Sequence, residues 1–143
     1  MTAAVRYTTS LEDIKADALD GGFWVGWPTP PTADQHLAIL KGSEVVVLAI
    51  DDETGRVVGF VTAVGDGVLA AYLPLLEVLP AWQGQGIGSE LVRRILAELD
   101  PRYMVDLVCD EDLVPFYEGL GFTPYRAMLR RDRSAIERAR GAD

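Results

Sequence analysis

Residues 75–89 read Leu-Leu-Glu-Val-Leu-Pro-Ala-Trp-Gln-Gly-Gln-Gly-Ile-Gly-Ser, and their types and spacing hold most of the chemistry in this chain. Gly84, Gly86 and Gly88 alternate, which removes side-chain bulk and lets the N–H groups of the turn close on a ligand. Behind them Leu91, Val92, Ile95, Leu96 and Leu99 mark the apolar face of a helix. A helix N-terminus adds free donors and partial positive charge, so turn and helix together predict a pyrophosphate cradle. Two familiar cradles fit poorly. For a dinucleotide fingerprint the third glycine comes one residue early, and for a P-loop Ser89 follows Gly88 without the required Lys. Two lone carboxylates, Glu77 and Asp106, interrupt apolar runs, and a carboxylate in such a run is costly to bury unless paired or set in a cleft.

The elements that must position these residues follow from hydrophobic period and turn punctuation. Residues 5–8 alternate as a short strand. Ser10 caps a helix over residues 11–19 that ends at Gly21-Gly22, with Asp13 in a capping-box-like position. Residues 23–31 form a loop rich in aromatics and Pro, and a second helix runs from Thr32 or Ala33 to Lys41. Strands are expected at 44–50, 57–64 and 68–79, the last interrupted by Pro74. A helix from Gly86 or Gly88 to Leu99, a strand at 103–109, a short helix at 113–119 and a last strand at 123–130 complete the chain. The order β-α-α-β-β-β-α-β-α-β places three antiparallel strands before a βαβ unit. It predicts a single mixed-sheet α/β (α+β) domain over residues 1–143, not a doubly wound one.

The pattern Gln-x-x-Gly-x-Gly after a strand, Gln83-Gly84-Gln85-Gly86-Ile87-Gly88, resembles the coenzyme A loop of the GCN5-related N-acetyltransferase (GNAT) superfamily. Pro115-Phe116-Tyr117-Glu118-Gly119-Leu120-Gly121-Phe122 resembles that superfamily's second signature, Tyr-x-x-Leu-Gly-Phe on a helix, at the right distance downstream. The likeness covers residues 57–125 by motif and the whole chain by element order. It implies the GNAT-like acyl-CoA N-acyltransferase fold, with a twisted sheet splayed between its fourth and fifth strands. Pantetheine would pair there with backbone from Leu76 to Val78, and the diphosphate would rest on amides of Gly84, Gln85, Gly86, Ile87, Gly88 and Ser89, beside Gln83. The implied co-substrate is acetyl-CoA, and the implied reaction is direct attack by an amine on the thioester, with no covalent enzyme intermediate.

Within that frame Tyr117 takes the family's general-acid position, donating to the departing thiolate; its alternative is a packed core tyrosine. Burial of Glu77 would raise its pKa toward the range where it takes a proton from an ammonium, directly or through water. Its alternative is an outward Glu at a bulge or a salt bridge to Arg93 or Arg94. Asp106, on the strand across the split, is expected to bind the acceptor ammonium or share the base role. Asp110 stands where the superfamily often has Asn, and an ionised Asp cannot donate. Phe23, Trp24 and Trp27 either wall the acceptor site or anchor the loop on the core. Cys109 is read as a buried thiol and His36 as a surface helix residue rather than a base. The rival reading is a non-catalytic acyl-CoA-binding sensor or regulatory module.

Composition bounds the rest. Among 143 residues, 49% are hydrophobic and 24% charged, an ordinary globular balance. The net charge of -9 disfavours the nucleic-acid backbone as a partner and suits a small, cationic amine acceptor. Residues 1–125 carry -12 and residues 126–143 carry +3, so the tail reads as a solvated or partner-facing end. One Cys excludes an intrachain disulfide and fits a reducing cytoplasm, and one His with one Cys predicts no metal site. No signal-peptide core or membrane-length apolar run is present, so no membrane partner is expected. Edge strands near the C-terminus predict a homodimer.

Overall fold

Two nearly continuous apolar runs, β2 (Val45–Asp51) and β3 (Val57–Gly65), form the centre of the sheet, where strands covered on both faces need such sequences. The computed structural model describes residues 4–141; the parts of the expected domain at 1–3 and 142–143 lie outside it. β1 (Val5–Thr8) pairs antiparallel with β2, β2 with β3, and β3 with β4 (Ala70–Val78). β5 (Met104–Asp106) joins β4 in parallel, giving the order β1-β2-β3-β4-β5. The mixed α/β sheet is therefore as expected. At the β2–β3 turn the Asp51 carboxylate accepts from the Glu53 N–H at 3.1 Å and the Thr54 hydroxyl at 2.8 Å.

One face of the sheet is covered by α2 (Ile87–Leu99), which buries Ile87, Leu91, Val92, Ile95 and Leu99 along a single stripe. Burying five such side chains contributes on the order of 10 kcal/mol before entropic costs. Gly59 permits the close approach: a Cβ there would meet Leu91 Cδ1 at 3.1 Å and Ile87 Cγ2 at 3.3 Å. The aromatic segment and α1 (Ala33–Gly42) also join the core through Phe23, Trp24, His36 and Leu40. A full capping box starts α1, with Gln35 N–H donating to Thr32 Oγ1 and Thr32 N–H to Gln35 Oε1.

Three elements depart from the sequence expectation. Residues 11–19 form only a 3-10 turn, Ala16–Leu19, rather than a helix. Ser10 Oγ accepts from the N–H two residues on, Glu12, which is a turn bond that competes with helix formation. Residues 123–130 form no strand. Pro124 offers no N–H, and Tyr125 and Met128 stand 99% and 97% exposed. Instead a helix forms further on, α4 (Ser134–Gly141), started by Asp132 Oδ1 accepting from the Ser134 N–H at 3.1 Å. His36 is fully buried, not a surface residue, because α1 turns it into an aromatic box of Phe23, Trp24 and Phe60.

Candidate active site

The site begins where two strands part. β4 and β5 are paired only from Ala70↔Met104 to Tyr72↔Asp106. Beyond Tyr72, β4 continues to Val78 with β3 on one side alone. The register places Leu73 and Pro74 opposite the single residue Ala63, a bulge that absorbs Pro74 and bends the strand at the parting point. The expected strand over 103–109 thus ends at Asp106, and residues 107–110 become a wall of the opening. The resulting cleft has a volume of about 640 Å³ and is lined by Leu73 to Val78 on one side and Leu107 to Asp110 on the other. Tyr117 and Gln83 complete this half.

At one end lies the glycine turn. Gly84 and Gly86 have φ of 78° and 83°, a region that glycine occupies at little cost and other residues rarely adopt. Gly86 is the N-cap residue of α2, so the N–H groups of Ile87, Gly88 and Ser89 lack intrahelical acceptors. A Cβ on Gly88 would sit 3.7 Å from Phe116 Cζ and 3.8 Å from Val78 Cγ2. That single position brings together the strand end, the turn and α3 (Val114–Glu118), which carries Tyr117. Gln83 Nε2 donates to the Val78 carbonyl at 3.0 Å, tying the turn back to β4. Donors at a helix N-terminus, an unpaired strand edge and a bare glycine turn suit a ligand with a diphosphate and a chain of amides.

Tyr117 is half-buried, edge-on to Phe116 and Phe122, and its hydroxyl is pushed up to about 12 by burial and, secondarily, by neighbouring Cys109. A phenol so shifted stays protonated through the neutral range and keeps its proton available to donate. Gly121, at φ 96°, closes α3: the Phe122 N–H returns to the Tyr117 carbonyl at 3.1 Å and fixes the tyrosine backbone. Across the cleft, Glu77 is half-buried, and burial raises its pKa. The opposing influence is a hydrogen bond: the Trp24 N–H donates to Glu77 Oε1 at 2.8 Å. Glu77 makes no ion pair with Arg93 or Arg94, which pair with Glu90 instead.

Residues 41–124 match the family model described as an acetyltransferase (GNAT) domain. The chain belongs to the GNAT acetyltransferase family. It resembles the crystal structure of a Deinococcus radiodurans R1 protein classed with the acetyltransferases, at 48% identity and a TM-score of 0.87, over 91% of this chain and 90% of that one. GCN5-related N-acetyltransferase 1 (chloroplastic) of Arabidopsis thaliana is 31% identical over 82% of this chain and 60% of its own length. Serotonin N-acetyltransferase 2 (chloroplastic) of Oryza sativa is 37% identical over 58% of this chain and 44% of its own length. The chain thus spans about half of the curated relatives it matches.

Seen as a GNAT cleft, the site gathers Tyr117, Glu77, Gln83, Leu76 and Val78, with the glycine turn at its end. Asp106 is not gathered: it is exposed and absent from the lining, while its neighbour Leu107 lines the cleft. The Cys109 thiol, expected buried, is half-buried on the cleft wall. The aromatic loop divides its duties. Phe23 and Trp24 pack into the core, and Trp27 and Val25 line the cleft. Sequence reasoning missed the strap between Trp24 and Glu77, which joins residues 53 apart and has no local signal. It also missed Leu129 and Arg131 from the tail, which line the same cleft. Among the described residues no His/Cys/Asp/Glu group could hold a metal and no helix is long and apolar enough to cross a membrane.

Proposed function

We propose that the protein is an acetyl-CoA-dependent N-acetyltransferase that moves the acetyl group to a primary amine of a small, cationic acceptor by direct attack. The observation that carries this reading is the placement of Tyr117 and Glu77 on the walls of one cleft, opened by the parting of β4 and β5 beside the glycine turn. The co-substrate's residues would be Gly84 to Ser89 for the diphosphate and the open edge of β4 at Leu76 and Val78 for the pantetheine. When bound, acetyl-CoA supplies an activated acyl thioester. The carboxylate of Glu77 holds the acceptor ammonium and takes its proton, directly or through water, leaving a neutral amine to attack. The Tyr117 hydroxyl donates its proton to the thiolate sulfur that departs. Asp106 has no part in this scheme because it lies off the cleft.

A cytoplasmic location and a homodimer belong to the same proposal. Cys109 as a free thiol suits a reducing compartment. The outer edge of β5 and the exposed Tyr125 and Met128 suit a second copy. Thermal unfolding with acetyl-CoA, CoA, NAD and ATP in parallel, followed by an amine panel with thiol detection, tests the function. Saturation at 100 times Kd adds about 2.7 kcal/mol, a shift of several degrees, and only acetyl-CoA and CoA are expected to give it. Binding without turnover on any amine would favour the sensor reading, and no shift with either would remove both.

A further inference from the structure

The cleft wall also carries exposed apolar side chains: Val25, Trp27 and Leu129 line it while standing 73%, 41% and 55% exposed. Apolar side chains gathered at the mouth of a cleft mark a surface that a ligand covers. Trp27 is set relative to the carboxylate by a short chain of bonds. Glu77 Oε1 accepts from the Trp24 N–H at 2.8 Å, and the Trp24 carbonyl accepts from the Trp27 N–H at 3.1 Å. The two indoles then pack edge-on at 5.1 Å. Trp24 holds φ 71°, unfavourable for a non-glycine residue, and the strap to Glu77 together with its aromatic packing sustains it.

The charges in the cleft narrow the ligand further. Glu77 and Asp110 are its carboxylates, and Arg131 is the one cation in the lining. Arg131 makes no ion pair among the described residues, so its charge acts on whatever enters. An amino sugar needs several polar partners along its length and meets an apolar wall instead; a polyamine finds Asp110 as a second carboxylate, but its added positive charge is opposed by the guanidinium of Arg131. A single ammonium on an apolar body meets matching chemistry at both ends.

We propose that the acceptor is a monoamine carried on an aryl or alkyl body, its ammonium at Glu77 and its body against Trp27, Val25 and Leu129. The proposal rests on the reading of Glu77 as the residue that faces the amine. The test compares phenethylamine with spermidine and glucosamine, by kcat/KM from thiol release and by calorimetric binding to the CoA-saturated protein. Phenethylamine is expected to exceed both by at least tenfold. Trp27→Ala and Leu129→Ser are each expected to raise its KM and weaken its binding, by about tenfold for Trp27, with kcat within twofold. Leu129 lies in an irregular exposed segment, so Leu129→Ser keeps the test valid if Trp27→Ala fails to fold. Preference for spermidine or glucosamine, or an unchanged KM in both variants, overturns the proposal while leaving N-acetyltransfer standing. Phenethylamine binding that the variants weaken, with no turnover on any amine, marks a ligand rather than an acceptor and overturns the proposal together with the catalytic reading. No binding of phenethylamine and no turnover overturns both.

Discussion

Between pH 6.5 and about 4, acid should weaken this fold chiefly through one residue, and a single substitution should remove most of that effect. His36 is fully buried, its ring centroid lies 4.4 Å from that of Phe60 and 5.0 Å from that of Trp24, and neither ring nitrogen has a hydrogen-bond partner. Burial therefore favours the neutral ring and lowers its pKa from 6.5 to about 4. In the unfolded chain the same imidazole takes up a proton near 6.5, so between these values the unfolded state binds more protons. The stabilisation is fully present above 6.5 and is lost as pH falls toward about 4. At about 1.4 kcal/mol per pKa unit the loss is about 3 kcal/mol, roughly 10 °C of melting temperature for a domain of this size. Denaturant unfolding at a series of pH values, for wild type and His36→Leu, measures it. The variant is expected to be flatter across that window by about 3 kcal/mol, and to be no less stable than wild type at pH 5. Parallel pH profiles would refute the assignment. Because Trp24 packs on His36, tryptophan fluorescence of the folded protein should change as pH falls toward about 4, where the buried ring takes up its proton.

Four further outcomes follow from the cleft. Glu77→Gln keeps an acceptor oxygen for the Trp24 N–H but no base, so it should hold the melting temperature within about 3 °C, some 1 kcal/mol, while the rate falls at least tenfold. Glu77→Ala should lose the rate and also loosen the aromatic loop, seen as faster proteolysis near Trp27. Gly86→Ala forces a side chain into the left-handed region at φ 83°, costing about 1–2 kcal/mol in denaturant unfolding and weakening acetyl-CoA binding in calorimetry. Maleimide should label Cys109 on the cleft wall, and acetyl-CoA should slow that labelling at least fivefold by mass spectrometry.

What was legible in the sequence is what is local. The runs of β2 and β3, the glycines that open α2, and Leu91, Val92, Ile95 and Leu99 of the stripe behind them each declare themselves through period or backbone need, whereas Ile87 takes the place expected of Leu96. Tyr117 was legible through the resemblance carried by Tyr117, Leu120, Gly121 and Phe122, and Gly121, three residues past α3, closes the helix that holds it. Glu77 was legible as a carboxylate in an apolar strand, but its bond to Trp24 depends on packing between distant segments. The same holds for His36. Its helix is amphipathic enough to recognise, and only the aromatic cluster decides that a histidine joins the buried side. Asp106 was legible as a carboxylate on β5, but the strand stops there, and the wall of the opening is formed by residues 107–110, whose sequence carries no signal of that stop. The tail shows the converse: Thr123 and Tyr125 have strand-forming character without a strand to pair with.

The central claim is that this cleft transfers an acetyl group with Tyr117 as the acid. Its most direct test is amine-dependent release of CoA thiol by wild type and Tyr117→Phe, with acetyl-CoA affinity measured on both. The account predicts turnover by wild type, a kcat at least tenfold lower in the variant, and a Kd for acetyl-CoA within twofold. Equal kcat in the two proteins would contradict it, as would a wild type that binds acetyl-CoA and releases no thiol with any amine.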